Sequence, residues 1–195
     1  MQKYRIVFAT VFMLALTSLS AMAQSATFNM VPSSSALAAG CIAKASGRVT
    51  IHSIGNAENL HLEVSGLPAN TGFDFFVIQL PNAPFGLSWY QGDLTTDGSG
   101  RGVADFTGRF SIETFIVAPG SGVAPVVFPG DVNTNPATGP VHQYHLGLWF
   151  NSPNDAAAAG CPNNVTPFNG EHNAGIQALS TRNFGDLVGP LKKIH

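Results

Sequence analysis

The sequence predicts an all-β domain: an immunoglobulin-like, Greek-key β-sandwich with one short helix near residues 153–159. Three observations point there. Apolar and polar residues alternate strictly through Leu60-His61-Leu62-Glu63-Val64. Aromatic and β-branched residues crowd Phe73-Asp74-Phe75-Phe76-Val77-Ile78. Clusters of Gly, Pro and Asn punctuate the runs between them. Period-2 alternation places one face of a strand on a core and the other in water. Strands at this spacing, separated by turn signals, favour a sandwich or barrel over parallel βαβ units. A single sheet with so many large side chains would expose one apolar face. Two facing sheets hide both sets, worth roughly 25 cal/mol per Å² removed from water. An open sandwich is the first expectation and a closed barrel the second.

The chain begins with a targeting signal at residues 1–23: Lys3 and Arg5, then an uncharged apolar run, then Ala21-Met22-Ala23 as a small-x-small cleavage site near Ala23. The run is short for a bilayer span, which needs about 20 apolar residues. Residues 24–44 read as a loosely held N-terminal arm, with Phe28 and Val31 able to tuck against the body. A single domain then covers residues 45–191, with Gly189 to His195 a tail laid on its surface.

Gly47-Arg48-Val49-Thr50-Ile51-His52 is the first strand, and it pairs as a hairpin with the run that begins at Glu58. A turn at Gly66-Leu67-Pro68-Ala69-Asn70 leads into the Phe73 strand. Pro81-Asn82-Ala83-Pro84-Phe85-Gly86 is a proline-pinned loop. Leu87 to Thr96 is a strand with a possible bulge at Gly92. Asp97-Gly98-Ser99-Gly100 is the clearest turn, since Asp-Gly suits the positive φ angles of a tight hairpin. Strand character returns from Gly102 and continues to Val117. Residues 118–140 are Gly- and Pro-rich loop, and Tyr144 to Phe150 is again strand. Ser152 as N-cap, Pro153 at N1 and Asp155 near the positive dipole end start a helix that Gly160 stops. Asn173 to Leu179 is a last strand.

Cys41 and Cys161 are the only cysteines, and an exported protein most simply joins them. That loop would contribute roughly 4–5 kcal/mol in the chain-entropy description. A reactive or metal-binding pair is the alternative.

Charge is sparse. Loss of the leader removes Lys3 and Arg5, leaving 7 Lys and Arg against 11 Asp and Glu and moving the formal charge from −2 to −4. No basic run tracks a phosphate backbone, so nucleic acid is not an expected partner. No G-x-S-x-G elbow, H-E-x-x-H, P-loop or dinucleotide fingerprint occurs. His142-Gln143-Tyr144-His145 is an H-x-x-H pair that could take a metal with His61 or His172. On a strand, however, i and i+3 point to opposite faces, which argues for hydrogen-bonded or surface histidines instead. Phe85, Trp89 and Tyr90 flank the proline loop as candidate binding aromatics. Adjacent strand residues face opposite ways, so at least one of Trp89 and Tyr90 is expected in the core. Asn164-Val165-Thr166 matches the N-glycosylation pattern, relevant only in a eukaryotic secretory pathway.

Leu62 to Thr71, the Thr95 to Gly100 turn, Tyr144 to Pro153 and Phe168-Asn169-Gly170-Glu171-His172-Asn173-Ala174-Gly175 together resemble a family of uncharacterised secreted bacterial proteins. That resemblance implies a sandwich fold and lends no activity. The Gly66-Leu67-Pro68 element is also similar to immunoglobulin-like and copper/zinc superoxide dismutase sandwiches. In the dismutase pattern an H-x-H pair follows the Gly; here Gly72 is followed by Phe73-Asp74-Phe75, so the metal residues do not carry over.

The resulting expectation is a secreted or periplasmic, non-catalytic protein without a cofactor or transmembrane segment, binding a carbohydrate or an envelope protein. A metal-dependent enzyme using His61, His142, His145 and His172 is the alternative.

Overall fold

The computed structural model describes residues 25–117, 140–166 and 172–195. The leader with its cleavage position, nearly all of the loop stretch and the Phe168 to Glu171 part of the last motif lie outside the described residues.

In chain order the elements are β1 (Ser25–Pro32), α1 (Ser34–Ala39), β2 (Ser46–Ser53), β3 (Glu58–Ser65), β4 (Gly72–Ile78), β5 (Ser88–Thr95), β6 (Gly102–Gly108), β7 (Phe115–Ile116), β8 (Val141–His142), β9 (His145–Phe150), α2 (Pro153–Ala158) and β10 (Gln177–Ser180), followed by a 3-10 helix at Pro190–Lys193. The fold is all-β, and every strand pair is antiparallel.

The strands run β5-β4-β9-β10-β1-β2-β3-β6, an order that folds over on itself at β1. The first part of β1 pairs with β2, from Ser25 opposite His52 to Met30 opposite Gly47. Its last residues, Val31 and Pro32, pair instead with β10. A strand that switches sheets makes a sandwich corner. On one side lie β1, β2, β3 and β6; on the other lie β5, β4, β9 and β10. The β4–β5 pair belongs to the second sheet, while its neighbours in sequence, β3 and β6, pair with each other in the first. This is a Greek-key crossing, and the molecule shares the two-sheet architecture of immunoglobulin-like sandwiches with its own strand order.

The alternation read in β3 sorts its residues as expected. Leu60, Leu62 and Val64 are buried and Glu63 is exposed. Facing them from β4 are Phe73, Phe75 and Val77. Phe75 stacks on Phe106 of β6 with ring centroids 4.8 Å apart, so the two sheets press directly on each other. β4 and β9 are buried on both faces. The outer face of the second sheet carries its own apolar layer of Phe76, Ile78, Trp149 and Ala174, capped by Phe85.

Helix α2 begins as its sequence requires. The Ser152 hydroxyl accepts the Asp155 amide at 3.1 Å, and Pro153 fills the first turn. Cys41 and Cys161 form a disulfide with Cα atoms 5.4 Å apart. Each follows a short helix and closes it alike: Cys41 N–H donates to Ala36 O, and Cys161 N–H to Ala156 O.

Several expectations are corrected. The N-terminal arm is in fact β1 and α1, the former paired on both edges. Its burial pattern shows why it reads weakly: only Met30 is fully buried, so backbone pairing rather than an apolar stripe holds it. The Asp97 turn joins β5 to β6, yet β6 pairs with β3 rather than folding back as a hairpin. Strand character stops at Gly108 and resumes only briefly at β7, because residues 109–114 turn around Thr114, whose hydroxyl accepts the Ser111 amide and donates to Arg109 O. The C-terminal tail is no surface appendage: Leu191 and Ile194 are fully buried.

Candidate functional site

Near their connecting turn, β5 and β6 lie close together. A Cβ on Gly102 would meet Leu94 Cδ2 at 2.7 Å, and one on Gly92 would meet Phe106 at 2.9 Å. The strands are not hydrogen-bonded to each other, and β5 and β6 form the two edges of the folded sheet. At the far end of this seam a cleft of about 960 Å³ opens. Val77, Ile112 and Gln143 line it along with Trp89 and Gln91 of β5, Thr107 and Gly108 of β6, and the β7–β8 ribbon.

Trp89 is 61 % exposed at this cleft. It pairs in register with Val77, whose side chain belongs to the inner core, so Trp89 lies on the inner face of the sheet. Tyr90 pairs with Phe76 on the outer face, its ring edge-on to Phe76 at 5.5 Å and its hydroxyl donating to Asp93 Oδ1 at 2.6 Å. Phe85 also lies in the outer layer, edge-on to Trp149 at 4.9 Å. The three aromatics therefore do not form one platform. The expectation that Trp89 or Tyr90 is core is overturned, because Tyr90 is exposed too. Register shifts between Phe75 and Phe76, opposite Gly92 and Tyr90, so Gln91 is the extra residue of a bulge. Past it, the inner face has no opposing β6 to cover it, and an inward-facing indole meets open cleft.

The cleft wall is polar but balanced in charge. Arg109 pairs with Glu113 at 3.1 Å and with the buried Glu58 at 3.7 Å. Glu58 in turn accepts the Phe110 amide at 2.8 Å. Phe115 and His142 sit on β7 and β8, with ring centroids 6.4 Å apart. Gln143 is fully buried, and its side-chain Nε2 donates to Val141 O at 3.0 Å. Its Oε1 has no hydrogen-bond partner.

The histidines are not gathered together. His61 lies on β3 and pairs with Asp105 of β6 at 2.8 Å, with Glu63 Oε1 3.9 Å from its other ring nitrogen. His172 lies 3.5 Å from the buried Asp74. His142 belongs to the cleft. His145 is fully buried between Thr181 Oγ1 at 3.1 Å and the Asp186 carbonyl at 3.2 Å. A carbonyl only accepts, so Nε2 carries the hydrogen and Nδ1 of the neutral ring accepts from Thr181. Burial holds the His145 pKa below the ordinary 6.5, against the upward pull of Asp186. Among the described residues no three His, Cys, Asp or Glu side chains converge on a point that could hold a metal. Phe73 and Phe75, where the dismutase pattern has its histidine pair, fill the core.

Gln143, Arg109, Glu113 and Phe115 are cleft residues that strand periodicity does not single out. Gln143 is masked in sequence by the histidines around it, and Arg109 and Glu113 read there as ordinary strand. No helix among the described residues is long and apolar enough to cross a membrane. No protein-family model matches the chain, and no curated protein matches it by sequence.

Proposed function

We propose that this is an exported, non-catalytic β-sandwich that binds a neutral carbohydrate in the cleft beside Trp89. The observation that carries this reading is the indole itself, 61 % exposed on the inner face of a sheet where the sandwich leaves a cleft instead of core. An exposed indole offers a flat apolar face with a polar edge, the surface on which the C–H face of a sugar ring stacks. The lining suits a neutral ligand: the guanidinium of Arg109 is already engaged by Glu113 and Glu58, leaving no spare cation there to attract phosphate or carboxylate. Export is supported by the leader at residues 1–23 and by the Cys41–Cys161 disulfide, which suits a periplasmic or extracellular setting. The resemblance to secreted bacterial sandwiches points the same way.

Isothermal titration of the purified mature chain with neutral hexaoses of glucose, xylose and N-acetylglucosamine, and with an acidic galacturonate hexaose, tests the reading. Binding of at least one neutral hexaose, weakened at least about tenfold (~1.4 kcal/mol) in Trp89→Ala, is expected. Binding of none of them, or binding indifferent to Trp89→Ala, contradicts it.

A further inference from the structure

We infer that the side-chain oxygen of Gln143 is the atom that reads the ligand, taking a hydroxyl hydrogen from the sugar ring seated at Trp89. This rests on the carbohydrate reading above and adds the polar contact that would give it selectivity.

Gln143 is held from two directions. Its backbone amide donates to Thr114 O at 2.9 Å. Its Nε2 donates to Val141 O at 3.0 Å. The second bond also fixes which end of the amide is oxygen, since a flipped group would set two acceptors against each other. Oε1 is thus a fixed acceptor on a cleft-lining residue, buried and without a partner. A buried acceptor left unpaired costs its desolvation, and a ligand that donates to it recovers that cost on binding.

The same geometry restricts the donor. The neighbouring hydroxyl of Thr114 is already committed, accepting from Ser111 N and donating to Arg109 O. Arg109 is committed to Glu113 and Glu58. A carboxylate or phosphate would offer Oε1 no hydrogen and would face Glu113. A plain aromatic would stack on Trp89 but leave Oε1 unpaired. A polyhydroxylated ring supplies both an apolar face and a hydroxyl hydrogen. A site built to hydrogen-bond a hydroxyl rejects the analogue that lacks it.

The test is a cycle between protein and ligand. The tightest-binding neutral hexaose and its singly deoxygenated forms are titrated into the wild type and Gln143→Met, which keeps side-chain length and removes the acceptor. Expected is one deoxy position that costs the wild type about tenfold and costs Gln143→Met less than about twofold. Equal losses at every position in both proteins overturn the assignment. Where Gln143→Met does not fold, the side-chain amide resonance of Gln143 in the labelled wild type decides. A shift on saturation with the hexaose supports the assignment, and an unmoved resonance overturns it. Hexaose binding that Trp89→Ala weakens while Gln143 is indifferent removes this inference alone. Absence of hexaose binding to the wild type removes the carbohydrate reading as well.

Discussion

The backbone amide of Ile112 donates to the carbonyl of Ile194 at 2.8 Å, which ties the C-terminus to the wall of the cleft. Leu191 extends the tie through its amide to Tyr144 O, and the Tyr144 hydroxyl returns to Ile112 O at 3.1 Å. Leu191 and Ile194 are fully buried. Burial of such side chains contributes about 1.5–3 kcal/mol each. Deleting residues 190–195 is therefore expected to lower the melting temperature by about 10 °C or more and to weaken ligand binding. A truncated chain that melts within about 2 °C of the full one, by calorimetry, contradicts this.

The disulfide closes 120 residues between Cys41 and Cys161. Replacing both with Ser is expected to lose about 5 kcal/mol, the chain-entropy value for so long a loop. Urea unfolding of the double variant measures it, and a loss below about 1 kcal/mol argues against the cross-link as a main support. Thiol titration of the denatured, non-reduced wild type should find no free thiol.

Two glycines of one turn should respond in opposite ways. Gly100 has φ of 73°, and a Cβ there would sit 2.0 Å from Leu67 O. Gly98 has nothing within 4 Å of that position. The turn itself is held by Asp97, which accepts amide hydrogens from Ser99 and Arg101 and whose carboxyl is kept below its usual pKa, mainly by the Arg101 amide. Gly100→Ala is expected to cost about 2–4 kcal/mol from overpacking and backbone strain. Gly98→Ala should stay within about 1 kcal/mol of wild type. Similar unfolding midpoints for the two variants contradict the geometry.

His145 makes stability depend on pH. Its folded-state pKa lies below the ordinary 6.5 because the ring is buried. The unfolded chain therefore takes up the proton first as pH falls. The contribution of the neutral ring is full above 6.5, declines as pH drops below 6.5 and levels off beneath the lower folded value. Urea midpoints at about pH 7.5 and about pH 5 should fall more in wild type than in His145→Gln. A ring that NMR shows to be charged in the folded protein near pH 6 contradicts the assignment.

Local signals made much of the fold legible. The alternation of Leu60, Leu62 and Val64 gave the strand face. The Ser152-Pro153 start gave α2, and the cysteine pair gave the cross-link. What escaped reading depends on distant partners. β1 carries little apolar patterning because its role is to change sheets at Val31. Leu191 and Ile194 look like a tail until Ile112 is beside them. Trp89 and Tyr90 alternate as a half-buried strand should, but the end of β6 at Gly108 leaves the inner face uncovered. Gln143 becomes informative only when Val141 and Thr114 fix its amide.

The two tryptophans allow a direct test, since Trp89 is 61 % exposed at the cleft and Trp149 is fully buried in the outer layer. Acrylamide quenching of wild-type emission should separate an accessible component from a protected one. The decisive measurement repeats this at saturating neutral hexaose. The account expects the accessible component to vanish as a sugar ring covers the Trp89 indole. An accessible component unchanged by every neutral hexaose would contradict it.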